Sequence, residues 1–358
     1  MSIQDSVLQG MLRSGAQFDP YYGASFLSDH LPMALVSLRR LGASNDELRQ
    51  FRDRYAKRLE PQRYKERTIV GSVWPDCRGK WQLYPGLRRY FESVLLERGR
   101  DAVLREWMPR LIETAGIDAL HPLIRTALAV EGECDTELAC ALAYWVSAWE
   151  PVPVADGPRE QSDPAELFHR LRAHPVLGQR PASTDMFGAQ LGQLGGMEGF
   201  RRLIRWRGAS VGLKDLAREA ARVYLGYGHF FALHMVTGSQ AVHLLAPWVG
   251  DDDKVADALW MSLAAAYLII RTPAYAPVES PVTGEPSRAA VLRSAMAAED
   301  EHIAKLGYSA FVEWEAWHLP EHALILQRIE QGKATLFFQS FPGLRVTVNT
   351  CMRKNDHG

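Results

Sequence analysis

The chain has 358 residues, 41 Lys and Arg against 42 Asp and Glu for a formal net charge of −1, and 47% hydrophobic residues. That composition excludes intrinsic disorder, and the balanced charge argues against nucleic acid or an anionic membrane as a partner. The first seventeen residues carry Asp5 and Arg13 where a secretory signal needs an unbroken apolar stretch, so a cytoplasmic protein is expected.

The apolar period is helical nearly throughout. Leu31, Ala34, Leu35, Leu38 and Leu41 recur at three-and-four spacing, and Gly42 follows where a helix closes in a left-handed cap. Ser44 to Glu47 starts the next helix, which runs through Phe51, Tyr55 and Leu59 to Pro61. Further helices are expected at Leu87 to Arg98, Ala102 to Ala115, Pro122 to Ala129, Asp135 to Trp149, Leu213 to Val236, Lys254 to Ile270, Arg288 to Leu306 and Glu321 to Glu330. Two stretches break the pattern: a Pro-rich connection over 150–188 and an irregular link from Thr272 to Pro286. The clearest strand pattern is Leu344 to Val348. These signals predict an all-α fold, one large multi-helix domain over 1–358 with long irregular connections, the Pro-rich stretch being a connection or lid within it.

The most apolar run, Ala258 to Ile270, falls short of the roughly twenty residues that span a bilayer. Cys77, Cys134, Cys140 and Cys351 form no C-x-x-C pair and fit a reducing compartment. No P-loop or dinucleotide fingerprint is present. Gly208-Ala209-Ser210-Val211-Gly212 matches the nucleophile-elbow pattern, but the charged segment before it cannot be a buried strand, so Ser210 reads as part of a helix-start turn. His318-Leu319-Pro320-Glu321-His322 matches a zinc pattern that needs both imidazoles on one helical turn, and Pro320 separates them.

Histidine is the informative residue. His30, His121 and His234 each stand in an apolar helical stretch. One such ring is an ordinary core residue bonded to a carbonyl, but several together need many partners, and a metal ion satisfies them at once. His302 and Lys305 are three apart on one helical face, and a lysine beside a metal must be neutral or converted to an anion. A competing reading uses Glu166-x-x-His169, Glu299-x-x-His302 and Glu315-x-x-His318, the spacing of di-iron carboxylate bundles.

The blocks Ser28-Asp29-His30-Leu31-Pro32-Met33-Ala34-Leu35, His121-Pro122-Leu123-Ile124-Arg125, Gly228-His229 through Ser239, Asp300 through Lys305, and Trp317-His318 through His322 come in an order that resembles the questin oxidase-like family. The resemblance implies a non-haem iron oxygenase that opens rings of aromatic polyketides such as anthraquinones, by Baeyer-Villiger-type or dioxygenase-type chemistry, with O2 as co-substrate. It implies Fe(2+) held by His30, His121, His234 and His302, with Lys305 carboxylated as the anionic ligand and His229 the alternative to His234. It leaves use of NADPH open. Asp29, Glu131 and Glu299 are candidates to orient the ligands. Trp145, Trp149, Tyr224, Tyr227, Phe230, Phe231 and Trp260 are candidates to wall a pocket for a small aromatic substrate.

Overall fold

A computed structural model describes residues 3–334, apart from positions 25, 70–71, 153, 156, 161, 181–182, 184, 186, 272–283 and 299. The fold is all-α: α-helices run from Ile3–Gly15 to Pro320–Glu330, and the sheet among the described residues is a two-stranded antiparallel ribbon, Tyr21–Tyr22 against Leu27–Ser28. The strand pattern at Leu344 to Val348 lies outside the described residues. Buried apolar side chains from Leu8 to Ile329 form one contiguous core. No described helix is long and apolar enough to cross a membrane, and Cys77, Cys134 and Cys140 are buried free thiols.

Four helices form the heart of the packing. Leu31–Leu41 lies against both His121–Glu131 and Glu301–Trp317, and Phe230–Val249 packs on the latter two. Their sequences explain this: Leu31–Leu41 buries nine of its eleven residues, and Phe230–Val249 is apolar on most of its circumference, as expected of an interior helix.

Two expected helices are each split in two. The span from Leu213 to Val236 breaks into Leu213–Tyr227 and Phe230–Val249, because Gly228 takes a left-handed cap (φ 63°) and His229 restarts the chain as an N-cap. The span from Arg288 to Leu306 breaks into Arg288–Ala298 and Glu301–Trp317, with Asp300 as N-cap, so His302 and Lys305 sit at the beginning of a helix and not late in one. The Pro-rich connection contains a helix of its own, Pro164–Ala173. Asp163 caps it, Pro164 fits its first turn, and Phe168 packs on Trp260 and Tyr267 at 5.7 and 4.9 Å.

Candidate metal centre

Helix beginnings bring the histidines together. His30 is the N-cap residue of Leu31–Leu41, with its main-chain N–H donating to the Tyr55 hydroxyl at 3.1 Å. His121 opens His121–Glu131, His302 lies in the first turn of Glu301–Trp317, and His234 lies one turn into Phe230–Val249. The His30 ring stands 4.7 Å from His121, 4.6 Å from His302 and 6.5 Å from His234, while His234 is 4.8 Å from His121 and 5.4 Å from His302. All four sequence-predicted imidazoles are therefore in one place, buried. Lys305, one turn beyond His302, is fully buried.

The hydrogen bonds fix the tautomers. His121 Nδ1 is 2.6 Å from the Asp118 carbonyl and His234 Nδ1 is 3.0 Å from the Phe230 carbonyl. A carbonyl only accepts, so both Nδ1 atoms carry hydrogen, and in the neutral rings both Nε2 atoms are bare lone pairs. Those two Nε2 atoms face each other at 3.1 Å, with no hydrogen to share. His302 repeats the pattern: Nδ1 is 2.8 Å from the Asp300 carboxylate and Nε2 has no hydrogen-bond partner. His30 Nδ1, His30 Nε2 and Lys305 Nζ are likewise buried without a hydrogen bond. Buried polar atoms are nearly always partnered, and this convergence of lone pairs is an arrangement that could hold a cation.

Protonation is the poorer way to supply it. Burial, and the mutual repulsion of the rings with Lys305, hold His30, His121 and His234 well below the ordinary imidazole pKa. Four helix N-termini at or near the cluster add positive field of the same sign. Burial lowers the Lys305 ammonium to about 8, against opposing pulls from Glu301 and Asp300. The donor set fits a first-row transition metal: imidazoles, three of them held by an acceptor on the far nitrogen, with carboxylates close by. At bonds of about 2.1 Å, two nitrogens at right angles on one metal stand about 3.0 Å apart, close to the His121–His234 separation.

The structure also corrects the surroundings. His229 is not among the clustered rings; its Nδ1 accepts from the Phe231 N–H as a helix cap, and its ring stacks on Tyr227. Asp29 accepts from the Leu31 N–H and is pushed up to about 7 by burial, partly offset by Arg125; it makes no bond to an imidazole. Glu131 takes the Tyr308 hydroxyl and Arg40 instead, and Glu299 lies outside the described residues. The carboxylates that sequence reasoning passed over are Asp300, on His302, and Glu301, 3.5 Å from His30 and 3.6 Å from Arg58. Donor atoms of His30, His121 and His234 lie within 4.8 Å of one another, as do those of His30, Glu301 and His302. Glu166, His169, Glu315 and His318 are all exposed, away from this centre. His318 is exposed and His322 fully buried, so the zinc pattern does not form, and Ser210 lies exposed in a turn with no strand before it.

Of the expected pocket walls, Phe230 touches the cluster, 4.5 Å from His234 and 4.6 Å from His302. Trp145 and Trp260 are core residues with indole N–H groups bonded to Thr114 and to the Leu203 carbonyl, and Trp149 packs on Trp74.

A family model described as questin oxidase-like matches residues 27–310, well over half of the chain and including every clustered residue. The chain belongs to the questin oxidase-like family. No curated protein matches it.

Proposed function

For this member of the questin oxidase-like family we propose that the histidine cluster binds one iron(II) ion and that the protein is an oxygenase opening a ring of an aromatic polyketide, such as an anthraquinone. The observation that carries the reading is the pair of Nε2 lone pairs of His121 and His234, 3.1 Å apart with both Nδ1 hydrogens already committed. His30 and His302 complete the imidazole set. Lys305 supplies the anion as a carbamate: its neutral amine adds to CO2, forming an N–C bond and releasing one proton, and the orphaned Nζ becomes a carboxylate carrier. Burial favours the neutral amine that this addition needs.

His30, His121, His234, His302 and Lys305 would hold the iron(II), and the chemistry it would supply there is activation of dioxygen for insertion beside an aromatic carbonyl. The chain's own contribution is orientation and exclusion of water. The Asp118 and Phe230 carbonyls and the Asp300 carboxylate hold three rings by their Nδ1 hydrogens, and the Phe230 ring packs against two of them. Gly188, where the Pro-rich connection ends, borders a cavity beside Asp118.

Elemental analysis of freshly purified protein tests the metal: iron near one per chain is expected, with none in His121→Ala. Protein that takes up no iron under reducing, bicarbonate-containing buffer overturns the reading. Turnover under 18O2 separates the chemistries, since two labelled atoms in the product mark dioxygenation and one marks a Baeyer-Villiger-type insertion that consumes a reductant such as NADPH.

A further inference from the structure

Asp118 is used twice. Its main-chain carbonyl holds His121, while its carboxylate Oδ2 receives the hydroxyls of Tyr21 at 2.8 Å, Ser28 at 3.4 Å and Tyr144. Among the described residues no hydrogen bond reaches Oδ1. The ribbon register explains the convergence: Tyr21 pairs with Ser28 across it, so both side chains leave from one place. The backbone is strained here, with Asp118, Ala119 and Leu120 all in the left-handed region (φ 46°, 54° and 66°), each unfavourable for a residue other than glycine.

Asp118 also borders a cavity of about 320 Å³, walled by Tyr21, Phe26, Tyr64 and Trp81. Tyr21 packs on Trp81 at 4.6 Å and on Tyr144 at 5.6 Å, so Tyr21 and Trp81 give the cavity one continuous aromatic wall. The volume is at the small end for ligand pockets and suits one or two fused rings. Arg63 is the cation at the rim, but it lies over Phe26 and pairs with Asp19 and Glu60. Asp19, Asp118 and Arg63 therefore leave the lining with an excess of acceptors and negative charge. A carboxylate or phosphate ligand is repelled, whereas a neutral ring with an O–H group finds both a π-face and an acceptor.

We propose that this cavity is a subsite for a neutral hydroxylated aromatic ring, whose phenolic O–H donates to Asp118 Oδ1 while its faces lie against Tyr21, Phe26 and Trp81. The proposal deepens the oxygenase reading, and rests on it, in one respect only: Asp118, which borders the cavity, also holds His121 Nδ1 by its main-chain carbonyl at 2.6 Å, so a ring bound here would sit beside the residue that orients a cluster imidazole. The subsite itself is independent of metal.

The experiment is equilibrium binding of three probes of one shape to the full chain, with and without chelator: 2-naphthol, 2-methoxynaphthalene and 2-naphthoate. A hydrogen bond to a charged acceptor predicts 2-naphthol binding about 10-fold or more tighter than the other two. Asp118→Asn keeps a residue that tolerates the left-handed conformation and should shrink the preference for 2-naphthol over 2-methoxynaphthalene to about 3-fold or less. Trp81→Ala should weaken both probes alike. Equal binding of the three, 2-naphthoate binding tightest, or an unchanged preference in Asp118→Asn each overturns the proposal. If Asp118→Asn fails to fold, the wild-type ranking and Trp81→Ala decide it. Iron found without naphthol selectivity overturns the subsite and spares the metal reading. Selectivity in protein that never takes iron upholds the subsite and overturns the metal reading.

Discussion

Asp300 does two things with one carboxylate: it accepts from the His302 N–H as helix cap and from His302 Nδ1 as ring clamp, both at 2.8 Å. Asparagine caps a helix as well as aspartate does but is a weaker acceptor for an imidazole hydrogen. Asp300→Asn is therefore expected to leave thermal stability nearly unchanged while lowering metal affinity by about 10- to 100-fold, read by competition with a chromophoric chelator. Equal loss of both would make Asp300 a structural cap alone. Lys305→Met should give the converse. A buried amine without a partner costs stability, so the metal-free variant should be more stable than wild type by about 1–3 kcal/mol in urea titration, yet inactive. His322 tests burial itself, since both ring nitrogens lack partners and burial holds the ring down to about 3. The unfolded chain takes up this proton as pH falls below about 6.5 and the native state does not, so stability is lost toward acid by up to about 1.4 kcal/mol per pH unit. His322→Leu should remove that slope. The variant's advantage over wild type should then grow by about 2 kcal/mol between pH 8 and pH 5.

Helix ends, more than helix faces, build the centre. His229 shows why the ends were hard to read: the apolar period of Leu213–Tyr227 continues across Gly228 into Phe230–Val249, and histidine is not among the usual capping residues. His229→Ala is expected to cost about 1 kcal/mol of stability and to leave metal content unchanged, whereas His234→Ala should empty the site. The left-handed turn before His121 depends on close approach at the opposite helix. A Cβ at Gly238 would lie 2.3 Å from Leu120 Cδ2, and Leu120 is fully buried, so one of the two must shift within the core. Gly238→Ala should destabilise by about 1–3 kcal/mol and, by displacing the turn, loosen the Asp118 hold on His121, seen as faster metal loss. The break before Asp300 was hidden in the same way. An unbroken run of helix formers crosses it, and nothing local distinguishes an interior Asp-Glu pair from a cap followed by a first turn.

At the scale of the molecule, four segments spread from His30 to His302 meet only because their helices pack on one another, so a shared ion would act as a cross-link between them. Occupancy at a hundredfold excess over Kd adds about 2.7 kcal/mol to stability. Chelation in reducing buffer should therefore lower the melting temperature of the wild type, and it should leave His121→Ala unmoved; calorimetry with and without chelator checks both.

The order of helices, the depth of the histidines and the family they belong to were legible in the sequence by itself, because apolar spacing and residue identity are local properties. Only the tertiary structure decided that the four expected rings lie together, that His229 caps while His234 faces His121, and that Asp300 and Glu301, not Asp29, Glu131 or the surface acid-histidine pairs, attend the cluster. The physical reason is that a hydrogen-bond partner is chosen by distance and direction across packed helices. Those depend on where each helix begins and how closely its neighbour approaches, and no spacing along one chain encodes either.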